Sequence, residues 1–385
     1  MRFHVVGLGP VGTLAAFHLR RAVPRETPIS LIHRRQRTDT VLKVERDGVV
    51  SFENEFENEY LPNAQLEDAQ GTGGLTNIQS LIVATKAQAT CGVIDALLPH
   101  ISRNTTIVLL QNGMGIYERL VSTVFRNPAN RPHFIHTVNT HGVTVRTQRS
   151  HVIHRGVGAL KFAIVPSINR DFEKTLRNPD VPAHERQLEL SDISTPDDAE
   201  AEQYRSLLMT VAALSVMDLN TVWTPFEELR VAMYQKLAVN AIINPLTALL
   251  RCTNGELLEQ QAFNNIAHKV SIEAARIFHK IYMQRFEEED RIMHDQGLSR
   301  RAPPEVPQAL TSTSLHAEAV RVAGSTAKNT SSMLYDVLHN RPTEVNFING
   351  HLCRLGKEHG IQTLTTKTLW DMMQLREAIP LDSIV

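Results

Sequence analysis

The chain has 385 residues, 42% of them hydrophobic, enough for two domains that each bury a core. Its 40 Lys plus Arg nearly cancel its 41 Asp plus Glu, which argues against an extended basic surface and so against a nucleic-acid partner. No apolar run approaches the ~18–20 residues of a membrane span, and Cys91, Cys252 and Cys353 form neither a disulfide framework nor a metal-ligand spacing. The 17 histidines are scattered without metal spacing, so no metal is expected. A strand pattern begins almost at the first residue, so no signal peptide is expected, and the cytoplasm is the expected compartment with a mitochondrial one left open.

Phe3–Val6 is an apolar run that ends at a glycine cluster, and Thr13–Arg21 follows with helical periodicity. Ile29–Ile32 predicts the second strand. Val41–Val50 predicts one or two more, and the acidic stretch from Glu53 to Asp68 an exposed loop ending near Gly71–Gly74. Leu81–Ala84, Cys91–Leu98 and Thr106–Leu110 continue as strand, helix and strand, an alternation that implies a parallel sheet. A helix over Ile116–Phe125, a strand over His133–Thr140 and antiparallel strands over His151–Ala163 complete this half. Ser167–Gln203 is polar and dotted with prolines, a surface excursion or domain junction. From about Phe226 the pattern is helical, broken by Glu287–Pro307, with helices resuming near Ser312, Thr330, Thr343 and Thr363. The Arg300–Arg301 pair within that break is expected to be solvated. The expected division is 1–205 for an α/β domain and 206–385 for a helical one.

The turn after the first strand reads Gly7-Leu8-Gly9-Pro10-Val11-Gly12, a G-x-G-x-x-G between strand and helix. Gly7 permits the tight turn, Gly9 lets backbone approach a pyrophosphate, and Gly12 allows the helix to pack closely on the strand. The helix N-terminus adds unpaired N–H groups and partial positive charge. Where an NAD site usually carries an acid at the end of the second strand, this chain has His33-Arg34-Arg35-Gln36-Arg37. Cations there suit a 2′-phosphate, so Arg34 and Arg35 favour NADP over NAD.

In the helical half, Lys236, Asn240 and Asn244 recur every four residues and form one slowly drifting stripe. The residues between them are apolar, so the helix is expected to be buried nearly all round, and the lysine and two amides then need polar partners such as a ligand. Pro245 removes one backbone bond and is expected to kink or end the ladder.

Three segments taken with the glycine turn resemble the ketopantoate reductase (2-dehydropantoate 2-reductase) family, in its longer fungal form. They are Gln111-Asn112-Gly113-Met114-Gly115; the stretch from Lys236 through Asn240, Asn244, Pro245 and Thr247 to Asn254-Gly255-Glu256-Leu257; and Ser331-Ser332-Met333-Leu334 followed by Glu344 and Ile348-Asn349-Gly350. The resemblance implies a Rossmann-type doubly wound α/β domain followed by an all-α domain like the C-terminal one of 6-phosphogluconate dehydrogenase. It implies NADPH-dependent reduction of ketopantoate to (R)-pantoate, a step of pantothenate and coenzyme A synthesis.

By the same resemblance Lys236 is the general acid, supported by Glu344, which also reaches the cofactor side. Ser332 would hold the substrate carboxylate, and Asn240, Asn244 and Asn254 would contact substrate. Asn112 would bridge nicotinamide and substrate, Lys86 would assist at the cofactor, and Val143 would touch it through backbone. Other uses stay open: Ser331 and Ser332 suit a helix N-cap, Asn254-Gly255 a helix stop, and Glu344 the first turn of a helix after Thr343. The partner is a small 2-keto acid. Helical second domains of this kind often pair, which leaves a homodimer open. Two alternatives remain: reduction of a different 2-keto acid, or a reductase fold recruited without catalysis into a mitochondrial assembly.

Overall fold

The structure is a computed structural model, and it describes residues 1–36, 41–65, 75–146, 150–295 and 305–379. Arg37, Gly71–Gly74 and Arg300–Arg301 lie outside the described residues. The chain forms two compact units, one of residues 1–112 and 116–229, the other of 113–115 and 230–385.

In the first unit β1 (Phe3–Val6) leads through the glycine turn into α1 (Pro10–Ala22), which starts with proline at its first position, where the missing N–H costs nothing. Buried Arg20 donates to the carbonyl of Thr27 at 2.8 Å, fixing the return into β2 (Ile29–Arg35). β3 (Leu42–Arg46) and β4 (Val49–Glu53) form a hairpin whose Asp47-Gly48 turn has positive φ at both residues, as a two-residue turn requires. β5 (Glu57–Gln65) follows. The acidic stretch expected as a loop is therefore largely a strand. Its charges are answered in place: buried Glu59 accepts from Ser30 at 2.8 Å and Thr76 at 3.0 Å and faces His4, and Glu57 pairs with Arg2. His4, with the hydrogen bonds from Ser30 and Thr76, holds the Glu59 carboxyl down at about 2 against the cost of its burial.

β6 (Ser80–Val83), α2 (Ala87–Leu97), β7 (Thr106–Leu109), α3 (Ile116–Thr123) and β8 (His133–Asn139) continue the alternation. β9 (Gly142–Val145), β10 (His151–Gly156) and β11 (Leu160–Ile164) follow. The His151–Ala163 stretch does not fold back on itself. β10 pairs with β9 and β3, whereas β11 pairs with β8, so the two strands belong to different sheets. α4 (Ala201–Ser215) and β12 (Thr221–Trp223) complete the unit.

The large sheet has the order β12-β11-β8-β7-β6-β1-β2-β5, and from β5 to β8 every neighbouring pair is parallel. Chain order reverses at β1, between β2 and β6, which is where such sheets open a crevice at their carboxyl ends. A smaller sheet, β4-β3-β10-β9, packs against α1. The core between them includes Leu14, Phe17, Val44 and Val152. The 167–203 excursion is pinned rather than loose: Arg170 donates to the Ile193 carbonyl at 2.7 Å, pairs with Asp198 and stacks on Tyr204.

The units divide at Leu229, not at the expected 205. α4 belongs with the first because Thr210 bonds Ser80 at 2.9 Å and Ser206 bonds Thr106 at 2.8 Å, tying it to β6 and β7.

The second unit is helical. α5 (Phe226–Leu250) runs into it from the first, followed by α6 (Gln261–Asp295), α7 (Ser312–Ser325), α8 (Ser332–Leu338), α9 (Asn349–Glu358) and α10 (Leu364–Ala378). Its core joins Leu237, Ile242 and Leu246 of α5 with Ala274 and Phe278 of α6, Leu315 of α7 and Leu352 of α9. α6 continues eight residues past Glu287, where a break was expected. α5 likewise does not end at Pro245 but runs on to Leu250. Among the described residues no helix is long and apolar enough to cross a membrane.

Candidate functional site

On the first unit, the carboxyl edge of the large sheet gathers the glycine turn, the end of β2, Lys86 and Asn112. Gly7 has φ +91°, and a Cβ there would lie 2.3 Å from the Thr85 nitrogen, so the turns after β1 and β6 touch. A Cβ on Gly12 would lie 2.2 Å from the Gly7 carbonyl oxygen. Gly9 differs: its Cβ would meet nothing within 4 Å. Two glycines are therefore required by the fold, and Gly9 leaves open backbone to an incoming group.

Leu8 is buried, and Pro10 and Val11 open α1, whose N-terminus has no side-chain cap and no acid in its first turn. Its N–H groups and dipole suit an anion. Arg34 and Arg35 are exposed at the end of β2, and among the described residues neither is paired. These features fit a dinucleotide carrying phosphate beyond its pyrophosphate. Lys86 caps α2, and its carbonyl accepts from Thr90 Oγ1 at 3.3 Å. Thr90 also bonds Thr85 at 3.0 Å and receives the Gln111 amide at 3.5 Å, linking the ends of β6 and β7 beside Asn112. Val143 stands apart from this row of strand ends. It lies in β9 of the smaller sheet, paired with His154.

On the second unit, Lys236, Asn240 and Asn244 occupy one face of α5, and Thr247 extends it, since eleven residues turn the helix to within roughly 20° of its start. Asn244 is buried; Lys236 and Asn240 keep part of their surface open. Burial drives the Lys236 amine from 10.5 to about 8, and the negative charge of Glu344 partly opposes that fall. Glu344 is itself only 4% exposed and precedes the single 3-10 turn Val345–Phe347, so no α-helix begins at Thr343.

Thr247 bonds Ser331 across 2.7 Å, which joins the start of α8 to this face. Ser331 also accepts from Leu334 N–H at 3.1 Å and is the cap of α8. Ser332 is the first helical residue, exposed and without a hydrogen bond among the described residues. Of the two serines that suited a cap, Ser331 is the one that caps α8. Asn254 is buried, its amide N–H on Thr326 at 2.8 Å and its Oδ1 without a partner among the described residues. Gly113 and Gly115, both at positive φ, pack against Phe347 and His351 so closely that a Cβ on either would collide.

Family models named "Ketopantoate reductase PanE/ApbA" and "Ketopantoate reductase PanE/ApbA C terminal" match residues 3–167 and 228–377. The chain belongs to the ketopantoate reductase family. A probable 2-dehydropantoate 2-reductase of Schizosaccharomyces pombe is 27% identical over 95% of this chain and 93% of the relative. A dimeric ketopantoate reductase from Staphylococcus aureus superposes with TM-score 0.61 at 18% identity, over 98% of this chain and 99% of that one. D-mandelate dehydrogenase with NADH and anilino(oxo)acetate gives TM-score 0.65 at 16% identity, over 98% of this chain and 99% of that one. Those two likenesses concern the fold.

Sequence reasoning gave no role to Thr90, nor to Thr247 and Asn349, which it met only as members of the family-like segments. Thr247 carries a readable signal, because it continues the Lys236 stripe. Thr90 carries none, and the partner of Asn349 lies 108 residues away in the chain.

Proposed function

We propose that this member of the family reduces 2-dehydropantoate to (R)-pantoate with NADPH. The observation that carries the reading is Lys236: an amine that burial lowers to about 8, with a buried carboxylate to oppose its discharge, on a face lined by asparagines. When bound, the reduced nicotinamide supplies hydride to the C2 carbonyl carbon.

The chain's own part is to bind, orient and protonate. Lys236 donates a proton to the ketone oxygen as it becomes an alkoxide, and the neutral amine regains a proton from solvent. Glu344 keeps the lysine charged before the step. Ser332, exposed with its hydroxyl unengaged, suits the substrate carboxylate, while Asn240, Asn244 and the unpartnered Oδ1 of Asn254 suit its hydroxyl and carboxylate. Gly7–Gly12 and the start of α1 take the pyrophosphate, Arg34 and Arg35 the 2′-phosphate, and Lys86 and Asn112 the nicotinamide half.

A second reading keeps the chemistry and changes the 2-keto acid. It is favoured by the D-mandelate dehydrogenase likeness, since one fold serves acids with unlike side chains. We read the assembly as a homodimer, by likeness to the dimeric S. aureus reductase, and sedimentation of the purified chain tests it.

The deciding experiment follows reduced-nicotinamide oxidation with ketopantoate, with pyruvate and with an aryl keto acid, for the wild type and Lys236→Ala. Ketopantoate is expected to give the highest kcat/KM, and Lys236→Ala to lower kcat by about 10²–10⁴ with little change in cofactor affinity. Preference for another acid replaces the first reading with the second. Full turnover by Lys236→Ala removes both.

A further inference from the structure

We infer that Asn349 is a positioning residue for the reaction: its side-chain amide holds α5 at Pro245 and so aims Lys236, Asn240 and Asn244. The inference rests on the reading of Lys236 as proton donor.

Pro245 has no N–H, so the carbonyl of Ala241, four residues earlier, loses the donor that an uninterrupted helix would give it, and the proline ring crowds that same carbonyl. Ala241 and Ile242 are fully buried, which keeps water from taking the place. The Asn349 Nδ2 fills it, donating to Ala241 O across 2.9 Å. Asn349 is itself fully buried, and its Oδ1 has no hydrogen-bond partner among the described residues. A buried amide with only its donor half engaged is poorly suited to simple packing, where an apolar side chain of like size leaves nothing unsatisfied. The donor is what the site uses.

The place of this bond in the chain gives it consequence. Asn349 opens α9 directly after the segment that begins at Glu344, the carboxylate that acts on Lys236. Within that segment the Phe347 carbonyl accepts from Met114 N–H at 3.0 Å. Ala241 lies between Asn240 and Asn244 on α5. One short stretch thus carries the counter-charge of the lysine and clamps the helix that carries the lysine, at the point where that helix is weakest.

The test compares wild type, Asn349→Leu, Pro245→Ala and the double variant for kcat, KM, the pH profile of kcat and melting temperature. Asn349→Leu removes the donor and keeps the bulk. It is expected to lower kcat about ten- to a hundredfold, as small misplacements of a reacting group do, and to displace the alkaline limb of the profile. Adding Pro245→Ala gives Ala241 O a backbone donor, so the double variant is expected to recover most of that loss.

A lower melting temperature with wild-type kcat and pH profile would make the role structural and overturn the inference. So would a double variant as impaired as Asn349→Leu. Should Asn349→Leu not fold, the comparison runs within the Pro245→Ala background. There the Leu substitution is expected to leave kcat nearly unchanged, and a further tenfold loss would refute the inference. Lys236→Ala is assayed alongside. Wild-type turnover there overturns the lysine reading and the inference with it, whereas loss there beside an unimpaired Asn349→Leu overturns the inference alone.

Discussion

Replacing Glu344 by glutamine tests the electrostatics of the site with little change of shape. The side chain is 4% exposed, and Gln matches its volume, so packing is retained while the charge is lost. Burial already takes Lys236 from 10.5 to about 8 with the carboxylate in place, a change worth about 3 kcal/mol against the charged amine. Without Glu344 the one charge that raises the lysine is lost, so its pKa falls below about 8. In the proposed mechanism the protonated amine is the active form. Activity therefore falls as pH rises through the lysine pKa, and a lower pKa moves that fall to lower pH.

With the pKa near 8, about nine-tenths of the lysine is charged at pH 7, and a further fall of about two would leave about one-tenth charged. Glu344→Gln should accordingly lose about tenfold in kcat at pH 7 and much less near pH 5.5. The assay is the pH profile of kcat at saturating NADPH and keto acid, with circular dichroism to verify folding. A profile that superimposes on the wild type, or shifts to higher pH, would refute the assigned coupling.

The glycine turn gives a contrast between neighbours. Gly9→Ala meets no protein atom and should leave stability within about 1 kcal/mol while weakening cofactor binding about tenfold, read by calorimetry. Gly12→Ala collides with the Gly7 carbonyl and should cost about 1–3 kcal/mol of stability even without cofactor, read by denaturant titration. The two serines should separate likewise. Ser331→Ala removes the α8 cap and costs about 1 kcal/mol in thermal unfolding. Ser332→Ala should leave the melt unchanged and raise KM for the keto acid about tenfold, the worth of one charged hydrogen bond. Arg34→Ala, exposed and unpaired among the described residues, should weaken NADPH about tenfold and NADH hardly at all; equal effects would move the 2′-phosphate site elsewhere.

What could be read without the structure was local or periodic. The strand, Gly7–Gly12 and α1 were legible because glycine spacing and apolar runs record φ/ψ needs and packing directly. β5 was hidden because Glu57 and Glu59 look like solvated charge until Arg2, Ser30, His4 and Thr76 stand beside them. The separation of β10 from β11 was hidden for a related reason: alternation marks a strand but not its neighbour.

In the helical unit, a four-residue spacing on an apolar helix was enough to place Lys236, Asn240 and Asn244 on one face, because helical geometry alone does that. Sequence also marked Pro245 as a broken backbone bond. It could not tell whether the helix would end there, since that depends on whether some distant group satisfies the freed carbonyl. Asn349, 108 residues onward, does so, and the helix continues. Sequence by itself pointed to the family through the resemblance of its motifs, and to the parallel sheet and the lysine stripe because both are written in short-range spacing. The pKa of that lysine, the choice of Ser331 as the cap of α8 and the bond across the proline break were decided only by tertiary structure, because each depends on burial and on partners that only folding brings near.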